Sequence, residues 1–219
     1  MQEPDVARHD EGDIATRRRA RLVVLASGSG TNLQALIDAI AAGTLPAEIA
    51  AVVSDHADAG ALARAGVAGV PACHVGRHAG EDRSDYDARL ADVVAGFGPD
   101  IVVLAGWMRI LTMSFLGWFP DRVVNLHPAL PGELPGTRAV ERAWQEALAG
   151  ERTATGVMVH LVPDEGVDAG PVLGTAPVPI RPDDSLETLT ARVHATEHEL
   201  LVGTLTTLCA TLCHQEVPQ

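Results

Sequence analysis

The chain has 219 residues, 47% of them apolar, which is enough for one large domain or two small ones with a full core. Its net charge is −13 and it contains no lysine, so it lacks the basic footprint of a nucleic-acid coat, although single arginines can still hold one small phosphate. Cys73, Cys209 and Cys213 have no paired metal spacing and read as reduced thiols filling the core of a cytoplasmic protein.

The first residues mix Asp, Glu, Arg and His without an apolar h-region, so neither a signal peptide nor a membrane anchor is expected. Residues 1–20 read as a disordered tail and 21–214 as a single domain. Arg17, Arg18, Arg19 and Arg21 form its solvated lead-in. The apolar run 22–26, ending in Ser27-Gly28-Ser29-Gly30, predicts a strand buried on both faces followed by a tight turn. A helix from Thr31 follows, with Leu33, Leu36, Ile37 and Ile40 at helical spacing and Gly43 as its stop.

The alternation then continues. Residues 49–54 predict a strand, an alanine-rich helix runs to about Gly66, and 71–75 predict a short third strand. A helix over 86–97 stops at Gly98-Pro99, and 100–105 is the next strand, apolar on both faces and so at the sheet centre. Residues 107–111 form a rim loop, and a short helix with Phe115, Leu116 and Trp118 leads to Val123-Val124-Asn125-Leu126-His127-Pro128. Here Asn125 and His127 stand two apart, on one face of an extended backbone. Pro128 ends the strand and leaves both groups at its carboxyl end.

Residues 128–135 are too rich in proline and glycine for regular structure, and a helix over 137–149 follows. Residues 156–162 alternate as an edge strand does, 163–171 form a loop, and 172–180 form another strand interrupted by prolines, where the sheet turns antiparallel. Asp183-Asp184-Ser185 caps a long helix from Leu186 to about Leu212. Strands alternating with helices predict an α/β fold with a doubly wound, mainly parallel sheet and antiparallel strands at its C-terminal edge. Three polar loops, 27–32, 106–111 and 125–135, are then expected to share one rim, where open α/β sheets bind ligands.

The glycines of the first loop admit a ligand close to the backbone, and the next helix offers free N–H groups to an anion. The loop has neither a P-loop lysine nor the third glycine of a dinucleotide fingerprint, so one terminal phosphate fits better than a pyrophosphate. His127 and Asn125 suit a general acid and an amide donor aimed at a developing oxyanion. Asp168, in a glycine-rich loop, would by pairing with His127 raise its pKa and favour its charged form. His194, Glu197 and His198 match the H-x-x-E-H spacing of one zinc peptidase group, but a third ligand and supporting domain are lacking, so no metal is expected.

These segments resemble the phosphoribosylglycinamide formyltransferases. The likeness is carried, in family order, by residues 25–34 (LASGSGTNLQ), 104–111 (LAGWMRIL), 124–129 (VNLHPA), 155–160 (TGVMVH) and 167–171 (VDAGP). The resemblance implies a Rossmann-like formyltransferase fold and transfer of a formyl group from 10-formyltetrahydrofolate, a co-substrate, to the amine of glycinamide ribonucleotide in purine biosynthesis. It implies that Gly30, Thr31 and Asn32 hold the substrate phosphate and that Glu197 binds its ribose. Met108, Arg109, Ile110 and Leu111, with Asn125, would hold the folate. Arg83 matches a family arginine at the cleft, assigned to folate with phosphate as the open alternative. Asn125, His127 and Asp168 match the catalytic trio, and His160 matches a supporting histidine. Nucleic acid and membrane are not implied partners, and the expected state is monomer or homodimer.

The loop Ala129-Leu130-Pro131-Gly132-Glu133-Leu134-Pro135-Gly136 departs from the commoner family pattern, which has a second leucine before the proline. The same core serves a formyltetrahydrofolate hydrolase, a methionyl-tRNA formyltransferase and sugar formyltransferases. The first two would need an additional domain that 219 residues do not accommodate. A non-catalytic sugar-phosphate or pterin binder and a nicotinamide oxidoreductase are the readings from other classes.

Overall fold

The computed structural model describes residues 18–215; the first seventeen residues of the expected tail and the side chain of Cys213 lie outside what is described. Seven strands form one sheet in the order β3-β2-β1-β4-β5-β6-β7. They are β1 (Ala20–Leu25), β2 (Ala47–Ser54), β3 (Ala72–His74), β4 (Ile101–Leu104), β5 (Val123–His127), β6 (Ala154–Leu161) and β7 (Val172–Pro179). The first five pair in parallel, and β6 and β7 are antiparallel. The connecting helices are α1 (Thr31–Ala41), α2 (Gly60–Val67), α3 (Arg83–Ala95), α4 (Met113–Leu116), α5 (Ala139–Leu148) and α6 (Leu186–Gln215). Among the described residues no helix is long and apolar enough to cross a membrane.

The period-2 pleat of the strands divides the core in two. Leu22, Val24, Val103, Val124 and Leu126 face a layer built from α1, α2, α5 and α6, where Leu33, Leu36, Ala61, Leu189 and Leu201 are buried. Val23, Leu25, Val102, Leu104 and Val123 face the opposite layer, with Tyr86, Leu90, Phe115 and Phe119 from the α3 and α4 side. Asn125 and His127 share the parity of Val123, so β5 delivers both to this second face at its carboxyl end.

Two expectations are corrected. Residues 154–161 are no edge strand: β6 lies between β5 and β7, and its interior residues are buried. Its alternation divides two covered faces, Val157 and Val159 toward the α6 layer and His160 toward the site. The arginine lead-in is not merely solvated. Arg18 donates to both oxygens of Asp100 (3.0 and 2.9 Å), and the Arg21 backbone N–H donates to the same carboxylate (2.7 Å). The Arg21 guanidinium pairs with Glu48 and donates to the Phe97 carbonyl (2.8 Å). These contacts tie down the amino end of β1, which starts at Ala20, two residues earlier than expected.

Candidate active site

The chain winds from β1 to β2 and β3 on one side and then returns to β4 on the other, so the order of strands reverses between β1 and β4. Loops at a reversal diverge and leave a crevice at the carboxyl ends of the strands. A cleft of about 380 Å³ lies there, lined by all three expected loops and by Glu197 of α6.

On one side stands the anion cradle. Gly30 has φ +74°, and a Cβ there would lie 2.7 Å from the Ala61 Cα, so only glycine lets α2 approach this closely. No side chain caps α1 and no acidic residue sits in its first turn, which leaves its N–H groups and positive dipole end to a ligand. Arg64 steadies the turn, donating from Nε to the Ser29 carbonyl (2.8 Å). Asn32 is buried and donates from Nδ2 to Glu197 Oε2 (3.2 Å), while its Oδ1 has no partner among the described residues. Glu197 is buried too, and burial pushes its carboxyl above the ordinary value. On α6, His194 is exposed and His198 half-buried, while Glu197 is engaged with Asn32.

The rim loop 106–111 is stitched to the cradle through Ser27, whose N–H donates to the Gly106 carbonyl (3.0 Å) and whose Oγ accepts from the Met108 N–H (3.0 Å). Met108 and Ile110 are exposed, whereas Leu111 is packed in the core and offers only its backbone. Arg109 points inward: its Nε donates to the buried Asp55 (2.7 Å) and its guanidinium stacks 5.2 Å over the Tyr86 ring. Arg83 donates from Nε to the Ile110 carbonyl (3.1 Å) and lines a neighbouring depression with Arg77, Met108 and Ile110. It stands on the rim-loop side and is not among the residues lining the cradle.

At the centre, the antiparallel register sets His160 of β6 directly opposite Asn125 of β5. Asn125 Nδ2 lies 3.1 Å from His160 Nε2 and 3.2 Å from Asp168 Oδ1, and those two atoms are 3.6 Å apart. His160 Nδ1 faces the Leu161 carbonyl at 2.8 Å, and its Nε2 faces both Asn125 Nδ2 and Asp168 Oδ1. Asp168 Oδ2 lies 3.3 Å from His127 Nδ1 and accepts from the Gly136 N–H at 2.8 Å. His127 Nε2 lies 3.2 Å from the Leu134 carbonyl. The loop holding Asp168 is pressed onto β6 at Gly170, where a Cβ would lie 1.9 Å from the Leu161 oxygen.

Asp168 does pair with His127, but its expected effect on the imidazole is overruled. Burial is the largest influence and pushes His127 below the ordinary histidine value; Asp168 and the Leu134 carbonyl favour the charged form without outweighing it. The carboxyl of Asp168 is itself held low, because the contacts from His160, Gly136 and His127 overcome the opposing effect of burial. Both ring nitrogens of His127 face oxygen acceptors, so the geometry is complete only when both carry protons.

Spacing in the sequence points to Asn125 and His127 but not to Leu134 or Gly136, which act through backbone atoms. Asp55 has the signature used for Asn125, a polar side chain ending an apolar strand.

The formyl transferase family profile matches residues 20–205. The phosphoribosylglycinamide formyltransferase of Schizosaccharomyces pombe is 43% identical over 197 residues, 84% of this chain and 94% of that protein. That of Mycobacterium tuberculosis H37Rv is 43% identical over 189 residues, 86% of this chain and 85% of its own. The crystal structure of glycinamide ribonucleotide transformylase 1 from Symbiobacterium toebii superposes with a TM-score of 0.82 at 39% identity, covering 88% of this chain and 89% of that one.

Proposed function

The chain belongs to the formyl transferase family, among the phosphoribosylglycinamide formyltransferases, and from that premise we propose that its cleft transfers a formyl group from 10-formyltetrahydrofolate to the amine of glycinamide ribonucleotide. The observation carrying this reading is the joining of Asn125, His127, His160 and Asp168 in one hydrogen-bonded group beside an anion cradle.

In the proposed reaction the substrate phosphate lies against Gly30, Thr31 and Asn32, and Glu197 takes the ribose hydroxyls. The backbone of residues 108–111 receives the folate, whose anionic end meets Arg83. Holding both substrates at one rim makes the attack effectively unimolecular. The amine attacks the formyl carbon, a C–N bond forms, and the carbonyl electrons move onto oxygen. His160 Nε2 and Asp168 Oδ1 lie to the same side of Asn125 Nδ2, so one N–H shared between them leaves the second for this oxyanion. Once His127 takes up its second proton, which both facing acceptors favour, its positive charge stabilises the same developing charge. When the intermediate collapses, the bond from carbon to the folate N10 breaks. The amine loses a proton and N10 gains one, with the Asp168–His127 pair as the nearest carrier.

Purified protein given both substrates, with no metal or nucleoside triphosphate, is expected to release tetrahydrofolate and formylated product in equal amounts. Folded protein that releases neither would overturn the reading.

A further inference from the structure

Loop 128–138 has few backbone hydrogen bonds of its own, so side-chain anchors set its shape. Arg152, between α5 and β6, donates from Nη1 to Glu133 (2.5 Å) and from Nε to Glu146 (2.6 Å). Its side chain is 18% exposed, and those of Glu133 and Glu146 are 38% and 35% exposed. Glu146 lies on α5, whereas Glu133 lies in the loop, next to Leu134. The Leu134 side chain is buried in a small separate core with Ala129, Ala139 and Ala143. Its φ of +46° is unfavourable for leucine and persists only because its surroundings hold it. A second anchor is Arg142, which donates from Nη2 to the Pro135 carbonyl (2.8 Å). Neither Glu133 nor Arg152 lines the cleft.

We propose that the Glu133–Arg152 pair is a positioning device for the transfer reaction: it fixes the loop so that the Leu134 carbonyl and the Gly136 N–H hold His127 and Asp168 in alignment. The inference rests on the transferase reading above. The groups facing His127 are Asp168, His160 and the carbonyls of Leu134 and Glu133. A loop that moves away takes both carbonyls from the imidazole and the Gly136 N–H from Asp168. Charged His127 then loses its acceptors while the ring loses part of the cover that disfavours its charge, so its titration moves away from the wild-type position.

The test compares wild type with Glu133→Gln, Glu146→Gln, Arg152→Met and Arg152→Lys, all full length. Turnover is followed across pH, and the His127 ring nitrogens are followed by NMR, assigned with His127→Asn. Glu133→Gln is expected to lower kcat by about ten- to a hundredfold, as for a small misplacement of reacting groups, with both KM values within about twofold. Its alkaline limb should shift from the wild-type position. Glu146→Gln keeps the Arg152–Glu133 pair and should stay within about twofold of wild type, and Arg152→Lys should recover activity lost in Arg152→Met. Equal behaviour of Glu133→Gln and Glu146→Gln, or a fall in kcat with an unmoved pH limb, would overturn the proposal. If the wild type transfers no formyl group, the functional reading fails, and the NMR titration decides the clamp alone: an unshifted His127 in Glu133→Gln sinks it.

Discussion

Burial draws His127 below the ordinary histidine value of 6.5, so on acidification the unfolded chain takes up a proton before the folded chain does. Stability at this residue is therefore complete above 6.5 and is lost as pH falls toward the lowered folded value; half-buried His198, lowered chiefly by burial, adds in the same direction. His127→Gln should give a flatter curve of unfolding free energy between about pH 7.5 and 5.5 than the wild type, measured by urea denaturation. An unchanged slope would show that the imidazole titrates normally. In the proposed mechanism the same variant should lose about a hundredfold to a thousandfold in kcat, as removal of one group stabilising the developing charge typically does, with smaller changes in KM. Asn125 and His127 were legible in the sequence because strand parity and a following proline fix where side chains point. The partnership with Asp168 was not, since it depends on how a distant loop folds back onto β6, and the backbone groups of Leu134 and Gly136 carry no residue-type signature.

The turn between β1 and α1 shows how an element can be specified by one backbone angle. Gly30 combines φ +74° with contact against Ala61, so Gly30→Ala should cost at least about 1–2 kcal/mol for the left-handed conformation alone. Relief of the steric contact would shift the first turn of α1. Stability measured by urea unfolding should fall, and KM for the phosphorylated substrate should rise more than KM for the folate. A variant that binds both substrates normally would place the phosphate elsewhere. The parallel β-turn-α units were legible from apolar runs and glycine stops. The role of β6 was not, because a strand covered on both faces by unlike layers alternates as an edge strand does.

Across the whole molecule, function and anchoring occupy opposite ends of the sheet. The cleft opens at the carboxyl ends of the parallel strands, while Arg18, Arg21, Glu48 and Asp100 bind the amino ends together. Asp100→Asn keeps the shape but weakens hydrogen bonds from two arginines, each worth about 1 kcal/mol or more when charged. A drop in Tm of roughly 2–4 °C for each kcal/mol lost is expected in a domain of this size, with kcat unchanged. A matching loss of kcat would mean that the two ends are mechanically coupled. The stitch at Ser27 implies a coupling of a different kind. One residue bonds the phosphate-side turn to the rim loop through both its N–H and its hydroxyl. In the proposed placement of the substrates, the two ligands would order neighbouring parts of one connected backbone. Whatever factor the first then contributes to the affinity of the second, the second must return to the first, so on that placement the cradle and the rim loop would act as a single reciprocal binding unit.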